Sequence, residues 1–204
     1  MTKITKTPHG DARVHLHHAA EPRGALVLGH GAGGGVEAPD LVAATAAAGA
    51  EGFTVALVEQ PYRVAGKRSA PAAKQLDAAW IAVIEDLMAN DLDGLPLIVG
   101  GRSAGARVAC RTAEATGAAA VICLAFPLQP PARAGKEPSP SRQPELDAVK
   151  VPLLIVQGKR DRFGMPEPGP TRQVIQVKGD HSLRSDPEAV SIAMEKWLAS
   201  RALR

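Results

Sequence analysis

Short runs of apolar residues alternate with helical stretches along this chain, and this alternation constrains the fold more than any other feature. Most of the runs are continuously apolar, as expected for strands that are covered on both faces of a sheet. We predict strands at 25–28, 53–58, 95–99, 119–124 and 151–156, and a shorter, alternating strand at 173–177. Strands that alternate with helices imply a mainly parallel sheet with helices on both faces.

The stretches between these runs have the composition and spacing of helices. An alanine-rich helix is predicted at 39–50, and apolar side chains at helical spacing predict a longer one at 72–89. A third helix is expected at 104–115. The last is predicted at 187–199, where Asp186 is placed to cap the first turn.

Two segments depart from this pattern. Residues 1–23 are expected to form an irregular N-terminal segment or to add an edge strand, with 14–17 as the candidate. Residues 127–145 contain six prolines, which exclude a regular helix and predict a loop over the ligand-binding edge of the sheet. The sequence therefore predicts one α/β domain over residues 1–204, with a mostly parallel sheet of six to seven strands.

The motif Gly101-Arg102-Ser103-Ala104-Gly105 follows one predicted strand and precedes a predicted helix. In this context G-x-S-x-G is typical of a sharp turn that exposes the central serine as a nucleophile. The flanking glycines remove side chains that would clash with a strained backbone. Ser103 is therefore the candidate nucleophile. The alternative is a small residue in a tight turn, because the bare motif is frequent by chance.

A serine nucleophile needs an adjacent base, and the base needs an acid that orients it. Asp161 and His181 each follow a later predicted strand, so both are expected at the same sheet edge as Ser103. Asp161 is preferred over Asp180, because the side chains of sequential residues such as Asp180 and His181 diverge after a strand. The alternatives are a capping or loop role for Asp161 and an exposed loop position for His181.

Five other histidines compete for the role of the base. They are His9, His15, His17, His18 and His30. The first four lie upstream of the core strands, and the sequence places no acid that would orient them.

Acyl transfer also needs backbone donors for the oxyanion that develops at the carbonyl group. The N–H group of Ala104, directly after Ser103, is the first candidate. The second is expected in the glycine-rich turn at 29–35, at Ala32, with Gly33 as the alternative.

The same turn reads G-x-G-x-x-G from Gly29 to Gly34, which is also a signature of dinucleotide binding. That signature requires a helix to open inside the motif, whereas Gly35 and Pro39 postpone the helix here. A dinucleotide site would also leave the predicted nucleophile, acid and base without a role. We therefore regard dinucleotide binding as the less favoured interpretation.

Composition limits the other classes of function. Basic residues are scattered and aromatic residues make up 3% of the chain, which disfavours nucleic-acid binding despite a net charge of +3. No apolar run is long enough for a spanning helix, and the N-terminus lacks the apolar core of a signal peptide. Cys110 and Cys123 lie in apolar segments, so we expect buried thiols in the reducing cytoplasm rather than a disulfide or metal pair.

Together these residues resemble the α/β-hydrolases, and in particular the small dienelactone-hydrolase-like proteins. The chain is similar to the hydrolase-like family shared by testis-expressed protein 30, subunit 3 of the NSL acetyltransferase complex and many bacterial proteins. The resemblance covers nearly the whole chain from about residue 24. It is carried by Leu28-Gly-His-Gly-Ala-Gly33, Gly100-Gly-Arg-Ser-Ala-Gly-Ala-Arg107, Phe126-Pro-Leu-Gln-Pro-Pro131, Val156-Gln-Gly-Lys-Arg-Asp-Arg-Phe-Gly164 and Gly179-Asp-His-Ser-Leu183.

The resemblance implies an α/β-hydrolase fold without a large helical cap domain. It implies the same nucleophile, acid and base, namely Ser103, Asp161 and His181. One departure is Gln129, which stands where a histidine is expected in similar proteins.

The sequence thus predicts a serine hydrolase that cleaves a small ester or thioester, with no metal or organic cofactor, as a monomer or homodimer. The alternative is a non-catalytic scaffold or binding protein on a hydrolase fold. Arginines near the motif either hold an acidic group of the substrate or are solvated at the surface. The candidate substrate contacts are His30, Gly33, Tyr62 and Arg102.

Overall fold

The computed structural model describes residues 1–132, 135, 137 and 139–201, and across these residues the chain forms one sheet of eight strands. The strands are β1 (Thr2–Thr7), β2 (Gly10–His17), β3 (Gly24–Gly29), β4 (Phe53–Glu59), β5 (Leu97–Arg102), β6 (Ala120–Leu124), β7 (Leu153–Gly158) and β8 (Arg172–Val177). Their order in the sheet is β1-β2-β4-β3-β5-β6-β7-β8. Neighbours from β4 to β8 run parallel, which confirms the mainly parallel sheet.

Helices cover both faces of this sheet. They are α1 (Pro39–Ala50), α2 (Pro61–Val64), α3 (Ala73–Ala89), α4 (Ala104–Thr112), α5 (Gln143–Asp147) and α6 (Pro187–Ala199). Helices α3 and α4 pack on one face with Val27, Val99 and Val121. Helices α1 and α6 pack on the other face with Leu26 and Ile98. Successive strand residues thus alternate between two cores, because side chains of a strand point to opposite faces.

The sheet has eight strands rather than the six to seven predicted, because residues 1–17 form a hairpin. Strand β2 pairs antiparallel with both β1 and β4, and it extends the edge strand predicted at 14–17. Strand β1 escaped prediction because its apolar residue faces outward. Ile4 is half exposed, whereas Thr5 and Lys3 face inward and contact Asp86 of α3.

The proline-rich segment predicted as a loop at 127–145 contains the start of a helix. Helix α5 begins at Gln143, and Pro144 lies in its first turn, where a missing N–H group costs no intrahelical hydrogen bond. Positions 133, 134, 136 and 138, including one of the six prolines, lie outside the described residues. The helix predicted at 104–115 ends earlier, at Thr112.

Cys110 of α4 and Cys123 of β6 are buried and form no disulfide with each other, and their sulfur atoms lie 3.4 Å apart.

Of the helices in the described ranges, none combines the length and the apolar character that a membrane crossing requires.

Helix α4 lies unusually close to β3, because glycines remove side chains from the contact. A Cβ atom on Gly105 would collide with the Gly29 carbonyl group and lie 2.9 Å from the His30 carbonyl oxygen. A Cβ atom on Gly101 would lie 2.5 Å from the Gly29 oxygen. These contacts are between backbone atoms, which cannot rotate away as a flexible side chain can.

We expect Gly105→Ala to lower the free energy of unfolding by about 1–3 kcal/mol, because the new methyl group overpacks a backbone contact. The control is Gly49→Ala in α1, where a Cβ atom meets no heavy atom within 4 Å. Alanine should stabilise that helix by about 0.5–1 kcal/mol. Urea denaturation of both variants measures the difference, and equal stabilities would show that α4 can move away from β3 at no cost.

Candidate active site

The carboxyl ends of the parallel strands bring the three predicted polar residues together at one sheet edge. Ser103 follows β5, Asp161 lies three residues after β7, and His181 follows β8. The crevice outside the carboxyl ends of such strands is where ligands bind in open α/β sheets. This edge is therefore the candidate active site.

Ser103 occupies a strained turn between β5 and α4. Its backbone dihedrals are φ 52° and ψ −106°, in a region that residues with a side chain rarely adopt. The turn is held because the Ser103 N–H group donates to the Leu124 carbonyl oxygen at 2.9 Å. The strained backbone predicted from the motif is confirmed.

An unbroken chain of hydrogen bonds joins the three side chains. The Ser103 Oγ atom lies 2.9 Å from His181 Nε2, and His181 Nδ1 lies 2.8 Å from Asp161 Oδ2. Asp180, the alternative acid, instead accepts hydrogen bonds from the backbone and hydroxyl groups of Ser182. The geometry thus joins His181 to Asp161.

Further donors hold the Asp161 carboxylate, whose side chain is fully buried. Gln157 Nε2 donates to Oδ2 at 2.8 Å, and the Phe163 N–H group donates to Oδ1 at 2.8 Å. The same Gln157 nitrogen also lies within hydrogen-bond distance of the carbonyl oxygens of Phe126 and Gly164. A buried carboxylate without such partners would be costly, and these donors satisfy both of its oxygen atoms.

Gln157 was not identified from the sequence. Its only signal is a polar residue near the end of the apolar run that became β7, with Gly158 after it. That signal does not reveal the partner, because Asp161 approaches Gln157 only when the chain turns after the strand.

Phe163 covers one side of the imidazole ring. The centroids of the Phe163 and His181 rings lie 4.3 Å apart at an angle of 42°. Gln129 holds this phenylalanine in place, since its N–H group donates to the Phe163 carbonyl oxygen at 2.7 Å. The Gln129 side chain donates to the Ser139 carbonyl oxygen at 2.7 Å and ties the proline-rich segment together.

Arg102 links the site to a buried acid. Its Nε atom lies 2.8 Å from Asp40 Oδ2, at ion-pair distance but without the alignment of a hydrogen bond. Its Nη2 group donates to the His181 carbonyl oxygen at 3.1 Å. Burial raises the pKa of the Asp40 carboxyl group, and the neighbouring guanidinium opposes that rise. The predicted contact of Arg102 with substrate stays a prediction, and the contact that the structure shows is with the backbone of His181.

The two candidate oxyanion donors belong to the serine turn and to the glycine-rich turn. Ala104 is the first residue of α4, so its N–H group has no partner within the helix. Ala32 lies in a turn closed by a hydrogen bond from the Gly34 N–H group to the Gly31 oxygen. Tyr62 fixes this turn, because its hydroxyl group donates to the Ala32 carbonyl oxygen at 2.9 Å. Gly33, the alternative donor and candidate contact, is exposed beside it.

His30 is built into the wall beneath the turn. The Gln60 N–H group donates to His30 Nε2 at 3.0 Å, so the proton resides on Nδ1, which donates to the Gly31 oxygen at 2.8 Å. Burial lowers the pKa of this imidazole, which keeps it neutral. Both ring nitrogens are engaged, so the predicted contact between His30 and substrate has no free polar atom.

The N-terminal histidines lie in the β1–β2 hairpin and the segment after it. One expectation about them is wrong. His15 does have an acid beside it, because its Nε2 atom lies 3.2 Å from Glu59 Oε1. The contact between His15 and Glu59 was not predicted, because antiparallel pairing of β2 with β4 brings together residues that are far apart in sequence.

The glycine-rich turn does not open a helix. Its G-x-G-x-x-G signature ends at Gly34, whereas α1 begins at Pro39. The helix N-terminus that would hold a pyrophosphate in a dinucleotide site is therefore not formed by these glycines.

Comparison with solved structures finds the same fold in several hydrolases. A serine hydrolase homologue from Coxiella burnetii is 15% identical, with a TM-score of 0.76 and 97% of each chain covered. A serine hydrolase without a lid from Xanthomonas campestris is 19% identical, with a TM-score of 0.70 over 98% of this chain and 96% of that one. Dienelactone hydrolase from Anabaena variabilis is 15% identical, with a TM-score of 0.74 over 100% and 98%.

At these identities the likeness shows the fold alone, and it confirms an α/β-hydrolase fold without a large cap. No curated protein matches the chain. The finer resemblance to testis-expressed protein 30 and the NSL subunit stays a prediction. The sequence pattern of one family, described as an alpha/beta hydrolase domain, matches residues 22–192. The chain therefore belongs to the alpha/beta hydrolase domain family.

Proposed function

We propose that this protein hydrolyses a small carboxylic ester or thioester through an acyl-enzyme on Ser103. One observation carries the proposal, namely the continuous hydrogen-bonded chain from Ser103 Oγ through His181 to Asp161, with distances of 2.9 and 2.8 Å. A serine hydroxyl is a weak nucleophile unless a base of this kind removes its proton. The family and the serine hydrolases among its structural neighbours support the same chemistry.

In the first step the proton of the Ser103 hydroxyl moves to His181 Nε2. The Oγ atom forms a bond to the carbonyl carbon of the substrate, and the carbonyl electrons move onto its oxygen. Asp161 accepts a hydrogen bond from Nδ1, which fixes the tautomer that can receive the proton and stabilises the imidazolium that results. Gln157 and the Phe163 N–H group act as positioning groups for that carboxylate.

The negative oxygen of this intermediate needs donors that are already in place. The N–H groups of Ala104 and Ala32 are the proposed pair. The Ala104 group lacks a helical partner, and the Ala32 turn is braced by Tyr62, so neither needs to reorganise. Loss of one such donor typically lowers turnover by about 10²–10³-fold.

The intermediate then collapses. The bond to the leaving oxygen or sulfur breaks, and His181 gives its proton to that atom. A water molecule next loses a proton to the same imidazole and attacks the acyl carbon, and the bond to Ser103 Oγ breaks with return of the proton. The steps use no metal or organic cofactor.

We further propose that the reaction takes place in the cytoplasm. The unbonded thiols of Cys110 and Cys123, 3.4 Å apart, support a reducing compartment. The monomer or homodimer expected from the sequence stays a prediction.

Replacement of Ser103 tests the nucleophile. We expect Ser103→Ala to lower kcat/KM for para-nitrophenyl butyrate by about 10⁴-fold or more, because no other group takes over the attack. Labelling by a fluorophosphonate probe should be lost as well. The control is Ser191→Ala, which removes a hydroxyl group of α6 that donates to the Ala43 carbonyl oxygen of α1 at 3.3 Å.

Equal hydrolysis by the wild-type and Ser103→Ala proteins would overturn the proposal. A folded wild-type protein that neither turns over nor accepts the probe would favour the non-catalytic scaffold.

Replacement of Asp161 by asparagine tests the acid. The two carboxylate oxygens accept three hydrogen bonds, whereas an asparagine offers one acceptor and one NH₂ donor. Gln157 Nε2 and His181 Nδ1 both contact Oδ2, so an NH₂ group at that position would face both of them and favour the wrong tautomer of the imidazole.

We expect Asp161→Asn to lower kcat by about 10⁴-fold with little change in KM, because the effect is on proton transfer. Asp93→Asn removes an exposed carboxylate and serves as the control. Steady-state kinetics on the same ester measure both variants. A change of less than about tenfold in Asp161→Asn would show that the acid does not act through His181.

A further inference from the structure

We propose that the substrate carries an anionic group, a carboxylate or phosphate, which binds in an arginine-lined cavity beside His181. This inference rests on the proposed hydrolase function and names the class of substrate. The cavity has a volume of about 310 Å³, and Arg102, Arg160, Arg162, Phe163 and His181 contribute to its lining. The residue proposed to act as the base therefore forms part of the wall of a cationic pocket.

The backbone around the acid aims two of these arginines outward. The N–H groups of Arg160 and Asp161 donate to the carbonyl oxygens of Gly179 and Gly158 at 2.9 and 3.0 Å. This segment is thus fixed against the end of β7 and the loop after β8. Asp161 points inward to His181, whereas its neighbours Arg160 and Arg162 are exposed on the side of the cavity.

These two arginines make no ion pair or side-chain hydrogen bond with the residues that the structure describes. In the described part of the chain neither has a carboxylate oxygen within 4.0 Å. Arg162 only rests on the Phe163 ring, with its guanidinium carbon 5.5 Å from the centroid. By contrast, Arg107, close to Ser103 in sequence, is paired with Glu145.

The other charges around the cavity leave it positive. Arg102 is balanced by the buried Asp40. Asp180 is the acid in the lining, and hydrogen bonds from Ser182 lower its pKa, so it is ionised at neutral pH. One negative charge therefore opposes the two unpaired arginines.

The cavity adjoins the proposed nucleophile. His181 lines the cavity, and its Nε2 atom lies 2.9 Å from Ser103 Oγ. A guanidinium group presents donors in a planar fork that suits carboxylate and phosphate oxygens. A neutral ester would form no ion pair with these guanidinium groups. The arginines therefore favour substrates with an anionic group and do not act on the ester bond itself.

The test compares two esters that differ only at one end of the acyl chain. In the mono-para-nitrophenyl ester of adipic acid a carboxylate replaces the terminal methyl group of para-nitrophenyl hexanoate. We expect wild-type kcat/KM to favour the adipate ester by about five- to tenfold at low salt, mainly through KM. The preference should shrink at about 0.5 M NaCl, because salt screens charges near the surface.

Removing the two arginines should abolish this preference. The double variant Arg160→Gln/Arg162→Gln is expected to hydrolyse the adipate and hexanoate esters with equal kcat/KM. The single variant Lys159→Gln removes an exposed cation next to the pocket and should keep the preference. A second pair of hexanoate esters, with and without a carboxylate on the nitrophenyl ring, tests an anion on the leaving group.

A preference in either pair that is lost in the double variant supports the proposal. Equal treatment of both pairs by the wild type, or an unchanged preference in the double variant, overturns it. If the wild type hydrolyses no ester, the hydrolase function fails. The pocket is then judged by calorimetry on the Ser103→Ala protein, in which the adipate ester must bind more tightly than the hexanoate ester and the arginine substitutions must remove the difference.

Discussion

The backbone contact between Gly29 and the two glycines of the serine turn sets the geometry on which the site depends. Gly101 and Gly105 lie so close to Gly29 that a Cβ atom on either would collide with its carbonyl oxygen. The contact joins the end of β3 to the start of α4, and so it fixes the glycine-rich turn at 29–35 against Ser103. Two proposed oxyanion donors, one on each segment, thereby keep a constant separation. A looser contact would leave both donors present but misplaced for a developing charge.

A second constraint is the supply of hydrogen bonds to Asp161. Its carboxylate is fully buried, and each group that donates a hydrogen bond to it belongs to a different segment of the chain. Gln157 belongs to β7, the Phe163 N–H group belongs to the loop, and His181 follows β8. The acid therefore has all of its hydrogen-bond donors only when the strand, the loop and the segment after the next strand are all in place. This couples the acid–base pair to folding of the sheet edge rather than to any one motif.

The sequence predicted the central strands and the long helices because their signals are local. Continuous apolar runs and helical spacing report directly on burial, which explains why helices at 39–50 and 187–199 have the predicted bounds. Strand β1 was not predicted because it buries the polar residue Thr5 and exposes the apolar residue Ile4, the reverse of the usual arrangement. The serine, acid and histidine were predicted from motifs at strand ends. Gln157 and Asp40 were missed because their partners, Asp161 and Arg102, are defined only by the fold.

The distance of an arginine from the serine in sequence does not indicate whether that arginine is available to bind a charged substrate. Arg102 lies within the serine motif and Arg107 lies two residues after it, yet Arg102 is paired with Asp40 and Arg107 with Glu145. Their charges are committed to holding the His181 backbone and to joining α4 with α5. Arg160 and Arg162 lie nearly sixty residues further along, and they reach the same edge unpaired because the acid between them turns inward. A chain built in this way can change its preference for charged substrates by altering exposed arginines, while the buried partners of the acid and base remain untouched.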